Sequence, residues 1–198
     1  ILRQGAEFDV AIVQRENRRE KRTEVIYFNL GDALPDESSD SNMRLESRDQ
    51  LIIFDTHSAR AKQLSRVVLK MKREATAGSP VKTIEFKGYL RHPGIYPLQP
   101  GTRLLEMINN VGGLNSGVDL DYALLARTDL ATDRLYFVQI NMREGLRAQE
   151  GDHNPILQPK DRIYLFDKDI NRSVLIEAPI DRITVYYTTT TLHTNTSV

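Results

Sequence analysis

Over residues 82–90 apolar and polar positions alternate. Ile84, Phe86 and Leu90 fall on one face, with Glu85, Lys87 and Tyr89 on the other. Period-two alternation of this kind predicts a half-buried strand. His92-Pro93-Gly94 predicts a turn, since proline presets φ and glycine supplies positive φ. Residues 95–98 predict a short return strand, which Pro97 biases towards a sheet edge. After the break at Pro100-Gly101 the period changes. Thr102 is placed to cap a helix whose Leu104, Leu105, Ile108 and Val111 recur at helical spacing, and Gly112-Gly113 stops it. Strands are predicted at 122–127, 135–140 and 163–166, with a helical turn at 142–146 and a turn at 158–161. The expected core of this unit is Ile84, Phe86, Leu104, Leu105, Ile108, Leu125, Phe137 and Leu165.

The same pattern occurs earlier in the chain. Shifting the sequence by 112 positions, without gaps, superposes Gly5 on Gly117, Ala11 on Ala123, Arg15 on Arg127 and Arg22 on Arg134. It also superposes Asn29 on Asn141, Asn42 on Asn154, Leu45 on Leu157, Asp49 on Asp161 and Phe54-Asp55 on Phe166-Asp167. Two copies of one supersecondary unit are expected. The first would lack the counterpart of 82–112, and a chain opening on Ile1 rather than Met is read either as one from which something upstream was removed or as a piece of a longer one. Its apolar face, expected to include Ile12, Val25, Ile26, Phe28, Ile52 and Phe54, would then need a cover. A second chain or a helix over 59–75 is ranked above the tail for that role. Ser58 is placed to cap that helix, with an apolar stripe of Ala61, Leu64, Val67, Val68, Met71 and Ala75. Its outer face is basic, with Arg60, Lys62, Arg66, Lys70, Lys72 and Arg73 read as a solvated face. A further helix is expected from Asn171, with Pro179 inside it, followed by a strand-prone, Thr-rich tail from Thr184.

The expected organisation is a partial module over 1–57, a linker helix over 58–80, a complete module over 81–168 and a helix start plus tail over 169–198. Lysine plus arginine equals aspartate plus glutamate, 27 each, which argues against a dedicated nucleic-acid binder. No apolar run approaches the ~20 residues that span a bilayer, and no signal-peptide pattern is present. Cysteine is absent, which excludes disulfides and thiolate chemistry but fixes no compartment.

The ordered motif Gly88-Tyr89-Leu90, Pro93-Gly94-Ile95-Tyr96, Thr102, Leu105, Ile108 and Val111-Gly112-Gly113-Leu114 goes beyond layout. Together with Arg127, Asn141-Met142, Leu157, Asp161, Ile163 and Leu165, it resembles the SLBB (soluble-ligand-binding β-grasp) domain of Wza-like outer-membrane polysaccharide export proteins. Val111 stands where that family usually has alanine. The resemblance covers 83–167, and reaches 1–60 mainly through the repeat. It implies an α+β fold of tandem β-grasp modules, the first truncated at its N-terminus, joined by an amphipathic helix. It also implies a periplasmic part of an exporter, associated with the outer membrane in the full-length protein. Homo-oligomeric rings would surround a path for polysaccharide and meet an inner-membrane export partner.

Candidate chemistry is sparse. The four histidines, His57, His92, His153 and His193, show no metal-helix spacing. Asp49 and Asp161 read as turn aspartates, and Arg15 and Arg127 as donors to loop carbonyls. No cofactor motif is present, and Gly112-Gly113 ends a helix rather than cradling phosphate. No catalysis is expected. The candidate ligand- or interface-binding residues are Tyr89, Arg91, His92 and Arg127. The alternative to an export role is a small-ligand or carbohydrate-binding module using the turn 91–94.

Overall fold

A computed structural model describes residues 4–129, 132–169 and 184–186. The helix expected from Asn171, most of the Thr-rich tail and His193 lie outside the described residues.

The first part of the chain forms β1 (Ala6–Asn17), β2 (Arg22–Phe28), a short helix α1 (Leu30–Ala33) and β3 (Gln50–Asp55). The strands make an antiparallel sheet in the order β2-β1-β3. The mixed-charge run after β1 is its hairpin tip, where Asn17 Oδ1 accepts the N–H groups of Arg19 and Glu20.

Next come α2 (Arg60–Gln63) and α3 (Ser65–Glu74), in place of one continuous helix. The N-cap is Ala59 rather than Ser58. Leu64, Val67, Val68 and Met71 are buried as their spacing predicts. Arg60 is a correction: read as part of the solvated basic face, it is only 4% exposed.

The second part comprises β4 (Thr83–Gly88), β5 (Gly94–Pro97), α4 (Leu104–Asn110), β6 (Val118–Thr128), β7 (Leu135–Ile140), α5 (Met142–Ala148), β8 (Arg162–Asp167) and β9 (Thr184–Tyr186). Its sheet order is β5-β4-β8-β6-β7-β9, with the β4–β8 and β7–β9 pairs parallel. The tail therefore contributes a strand, but to this sheet and not to the first.

Helix α4 packs on one face through Leu104, Met107, Ile108 and Val111, all nearly inaccessible. Leu105, expected in the core, is only partly buried, and Met107 takes its place. The other expected core residues, Ile84, Phe86, Leu125, Phe137 and Leu165, are buried. Thr102 does not cap α4. Its carbonyl accepts from Leu157, and Arg103 holds the N-cap position. The first-turn N–H groups of Leu104 and Leu105 instead reach Pro155 O (3.0 Å) and Asn154 Oδ1 (2.9 Å). A distant loop thus satisfies donors that every helix start leaves free. Gly112 ends α4 at φ +112, and a Cβ there would meet the His92 ring. Met107→Ala is expected to lower unfolding free energy by about 2–5 kcal/mol through the cavity left behind. Leu105→Ala should lose clearly less, and urea titration of both variants checks the helix register.

The two sheets follow one register at the offset of 112. Ala11 pairs with Ile53 and Phe28, and Ala123 with Leu165 and Ile140. Both long strands shift register at the same place, between Ala6 and Ala11 and between Val118 and Ala123. Asn29 and Asn141 cap their short helices alike, through Asp32 N–H and Glu144 N–H.

What differs is which face is covered. In the second sheet Ala123, Leu125, Ile163 and Leu165 are buried in the core that includes α4. In the first sheet the core side is the opposite one, with Val10, Ile12, Val25 and Phe54 against Leu64, Val67 and Met71. The six residues expected on one apolar face therefore divide. Ile12, Val25, Ile52 and Phe54 face the linker helices, whereas Ile26 and Phe28 point to the other side. On that other side Leu51 is 45% exposed and Leu45 55%, although their counterparts Ile163 and Leu157 are buried.

The outer edge of β2 is closed by side chains. Glu74 Oε2 accepts from Thr23 N–H (2.6 Å) and Gln99 Oε1 from Tyr27 N–H (3.0 Å). Such cover removes an edge that would otherwise template pairing. The outer edge of β3 pairs with no strand among the described residues.

Candidate functional site

The four candidate residues do not converge. Tyr89 follows β4 and donates its hydroxyl to Ser116 O (3.0 Å), just ahead of β6. Arg127 sits near the other end of β6, so the sheet separates the two. Arg91 is exposed on the turn between β4 and β5.

Arg127 is part of a structural pair. Its Nε and Nη2 donate to the two carboxylate oxygens of Asp161 at 2.9 and 2.7 Å, and Nη2 also reaches Ile156 O at 2.9 Å. Asp161 additionally accepts Gln158 N–H at 2.8 Å. The loop carbonyl was expected as a partner; the carboxylate was not. Burial is the largest single influence and works against the Arg127 charge, but the hydrogen bond and charge of Asp161, together with Tyr136, outweigh it and raise the pKa. The first unit repeats the arrangement: Arg15 pairs with Asp49, donates to Arg44 O, and Asp49 accepts Glu46 N–H. The residues before the aspartates, Arg48 and Lys160, share positive φ of 76 and 70.

His92 belongs to a different cluster, built where the two sheets meet. Its carbonyl accepts the Tyr96 hydroxyl (2.6 Å), and its ring lies against Gly112. Close by is Arg60, the buried cation. It pairs with Glu7 on β1 through Nη2 (2.5 Å) and Nε (2.7 Å). Nη1 donates to Asn110 O at the end of α4 (2.9 Å), and the guanidinium lies 5.2 Å from the Phe54 ring centroid. One side chain thus joins β1, β3 and α4. A carboxylate oxygen that accepts from two guanidinium nitrogens, a carbonyl and an aromatic face are the partners that let guanidinium be buried.

Burial first, then the charges of Arg60 and Arg91, push the His92 pKa below its ordinary value, with Glu7 opposing them. A depressed histidine pKa favours the neutral ring in the folded state. Its contribution to stability is present above the unfolded value of about 6.5 and is lost as pH falls through the folded one. His92→Gln should therefore flatten the fall in urea midpoint below pH about 6.5.

Sequence reading missed Arg60 and Glu7, which lie far apart along the chain and belong to charged runs. His153 is structural: Nδ1 accepts Asn141 N–H (3.2 Å) and Nε2 lies 2.9 Å from Glu144. Among the described residues, no cluster of three histidine, cysteine, aspartate or glutamate side chains is arranged to hold a metal. No described helix is long and apolar enough to cross a membrane.

A search of curated proteins finds no match to the chain. A family model does match part of it. The matched stretch, residues 87–133, runs from the end of β4 through the Pro93-Gly94 turn, α4, the double glycine and β6. These are the elements that build the His92 turn and end near the Arg127 pair, and the matching family is the SLBB domain, found in Wza-like polysaccharide export proteins.

Proposed function

We propose that the chain is a non-catalytic, periplasmic part of a polysaccharide export protein, built from two β-grasp units of which the first lacks its β-β-α half. Copies of the intact protein assemble as a ring around the translocation path and meet an inner-membrane export partner. The match of residues 87–133 to the SLBB domain carries this reading. The common register at an offset of 112 supports a tandem. The bare edge of β3, beside exposed Leu51 and Leu45, supports a first unit still open to a strand and a helix. A chain with as many acids as bases carries no overall charge that would repel or retain a hydrated polymer, which leaves any hold on it to local sites.

The alternative of a small ligand on the turn 91–94 is less well supported, because His92 and Tyr96 are spent on internal packing. Deleting residues 82–168 from the protein in its native cell, then measuring surface and intracellular polysaccharide, tests the reading. Loss of surface polymer with material retained inside is expected. Unchanged surface polymer would overturn it.

A further inference from the structure

Two concavities join along the linker helix. One, of about 400 Å³, lies between α3 and the edge strand β5, walled by Leu69 and Ile95. The other, of about 240 Å³, continues from Ile95 and Lys72 over the ends of β4 and β8 to Lys160 and Arg162. Lys72 and Ile95 line both, so the two form one groove of a size suited to a ligand.

Its charge is one-sided. Among the described residues Lys72, Lys160 and Arg162 have no ion-pair partner. The acids lining the same groove are already engaged, Asp161 by Arg127 at 2.7 Å and Glu85 by Lys87 at 3.7 Å. Three free cations therefore face one end, and aliphatic side chains that can carry the apolar face of a sugar ring line the other. The hydroxyls of Ser65 and Thr128 add hydrogen-bonding groups along it.

We propose that this groove binds an acidic oligosaccharide, its carboxylates on Lys72, Lys160 and Arg162 and its ring faces on Leu69 and Ile95. The inference rests on the polysaccharide reading above and adds the site and the charge of the polymer. A linear anion fits an open groove with spaced cations better than a compact one does.

The test titrates the ¹⁵N-labelled chain with tetragalacturonate, neutral cellotetraose and hexaglutamate, at low and high salt. Tetragalacturonate is expected to shift the amides of Leu69, Ile95 and Arg162, and to weaken as salt screens the contacts. The combined Lys72→Glu, Lys160→Glu and Arg162→Glu variant should bind it about tenfold more weakly or worse. Lys72→Glu alone, on an exposed helix face, should show a smaller loss in the same direction even if the triple variant misfolds. Cellotetraose or tetragalacturonate bound away from the groove, unaffected by these changes, would overturn the proposal while leaving the export reading standing. Hexaglutamate in the groove with both sugars silent, or no binding by any of the three, would overturn the proposal and count against that reading too.

Discussion

Asp161→Ala is expected to destabilise the protein by about 3–5 kcal/mol, because it leaves a largely buried guanidinium without its carboxylate. Asp161 is fully buried and Arg127 is 12% exposed, so little water can replace the lost partner. The substitution also frees Gln158 N–H, which the carboxylate accepts. Replacing both members, Asp161→Leu with Arg127→Met, should come much closer to wild type, since the charge and its desolvation leave together. Asp49→Ala is expected to lose less. Arg15 is 21% exposed and keeps Glu46 at 2.8 Å, where the second unit has the uncharged Gln158. Urea titration of the three variants gives the order directly. In the wild type, the Arg15 hydrogen bond holds the Asp49 carboxyl below its usual range. Its contribution is therefore present above about pH 3.9 and is lost as pH falls through the lower, folded value.

Arg60→Ala should be comparably severe, about 3–5 kcal/mol, for a different reason. It strands Glu7, removes the donor to Asn110 O and opens a space beside Phe54. These contacts lie between the first sheet and α4, so the loss should loosen the two sheets from each other. A second readout separates this from simple unfolding. The Arg60 charge helps depress His92, so its removal should raise the His92 pKa, and imidazole proton shifts followed through titration measure it. Stability near wild type, with the His92 titration unmoved, would show that Arg60 does not hold the interface.

Those two ion pairs mark the limit of what could be read from residues alone. Strands announce themselves through alternation, whereas their order in the sheets and the pairing and bulge that the two sheets share at the offset of 112 emerge only in the structure. The Arg127–Asp161 partnership spans 34 positions, and only the repeat hinted that both residues mattered. Arg60 was misplaced because a continuous helix puts it with the other basic residues. The helix instead breaks at Leu64, with φ −88 and ψ −2, and the short α2 turns Arg60 inward. Met107 was missed beside Leu105 for a similar reason: in a helix this short, two residues of rotation decide which apolar side chain faces the sheet. Asn154, which caps α4 across 49 positions, carries no local signal at all. Of the candidate site, the turn at 91–94 was legible, but the cations that line the groove were scattered among surface charges.

On the tandem reading proposed above, the β-β-α part of the second unit should also serve the first. Joining a second copy of residues 82–112 ahead of Ile1 would give the first sheet, in register, the strand and helix that the second one has. Asn42, the counterpart of Asn154, would then have a helix to cap, and Leu51 and Leu45 would be covered. Amide hydrogen exchange across Gln50–Asp55 in the native and extended chains is the direct measurement. The account predicts that exchange there slows towards that of Arg162–Asp167, with a higher unfolding midpoint. Unchanged exchange across Gln50–Asp55, with the added segment itself unprotected, would contradict it.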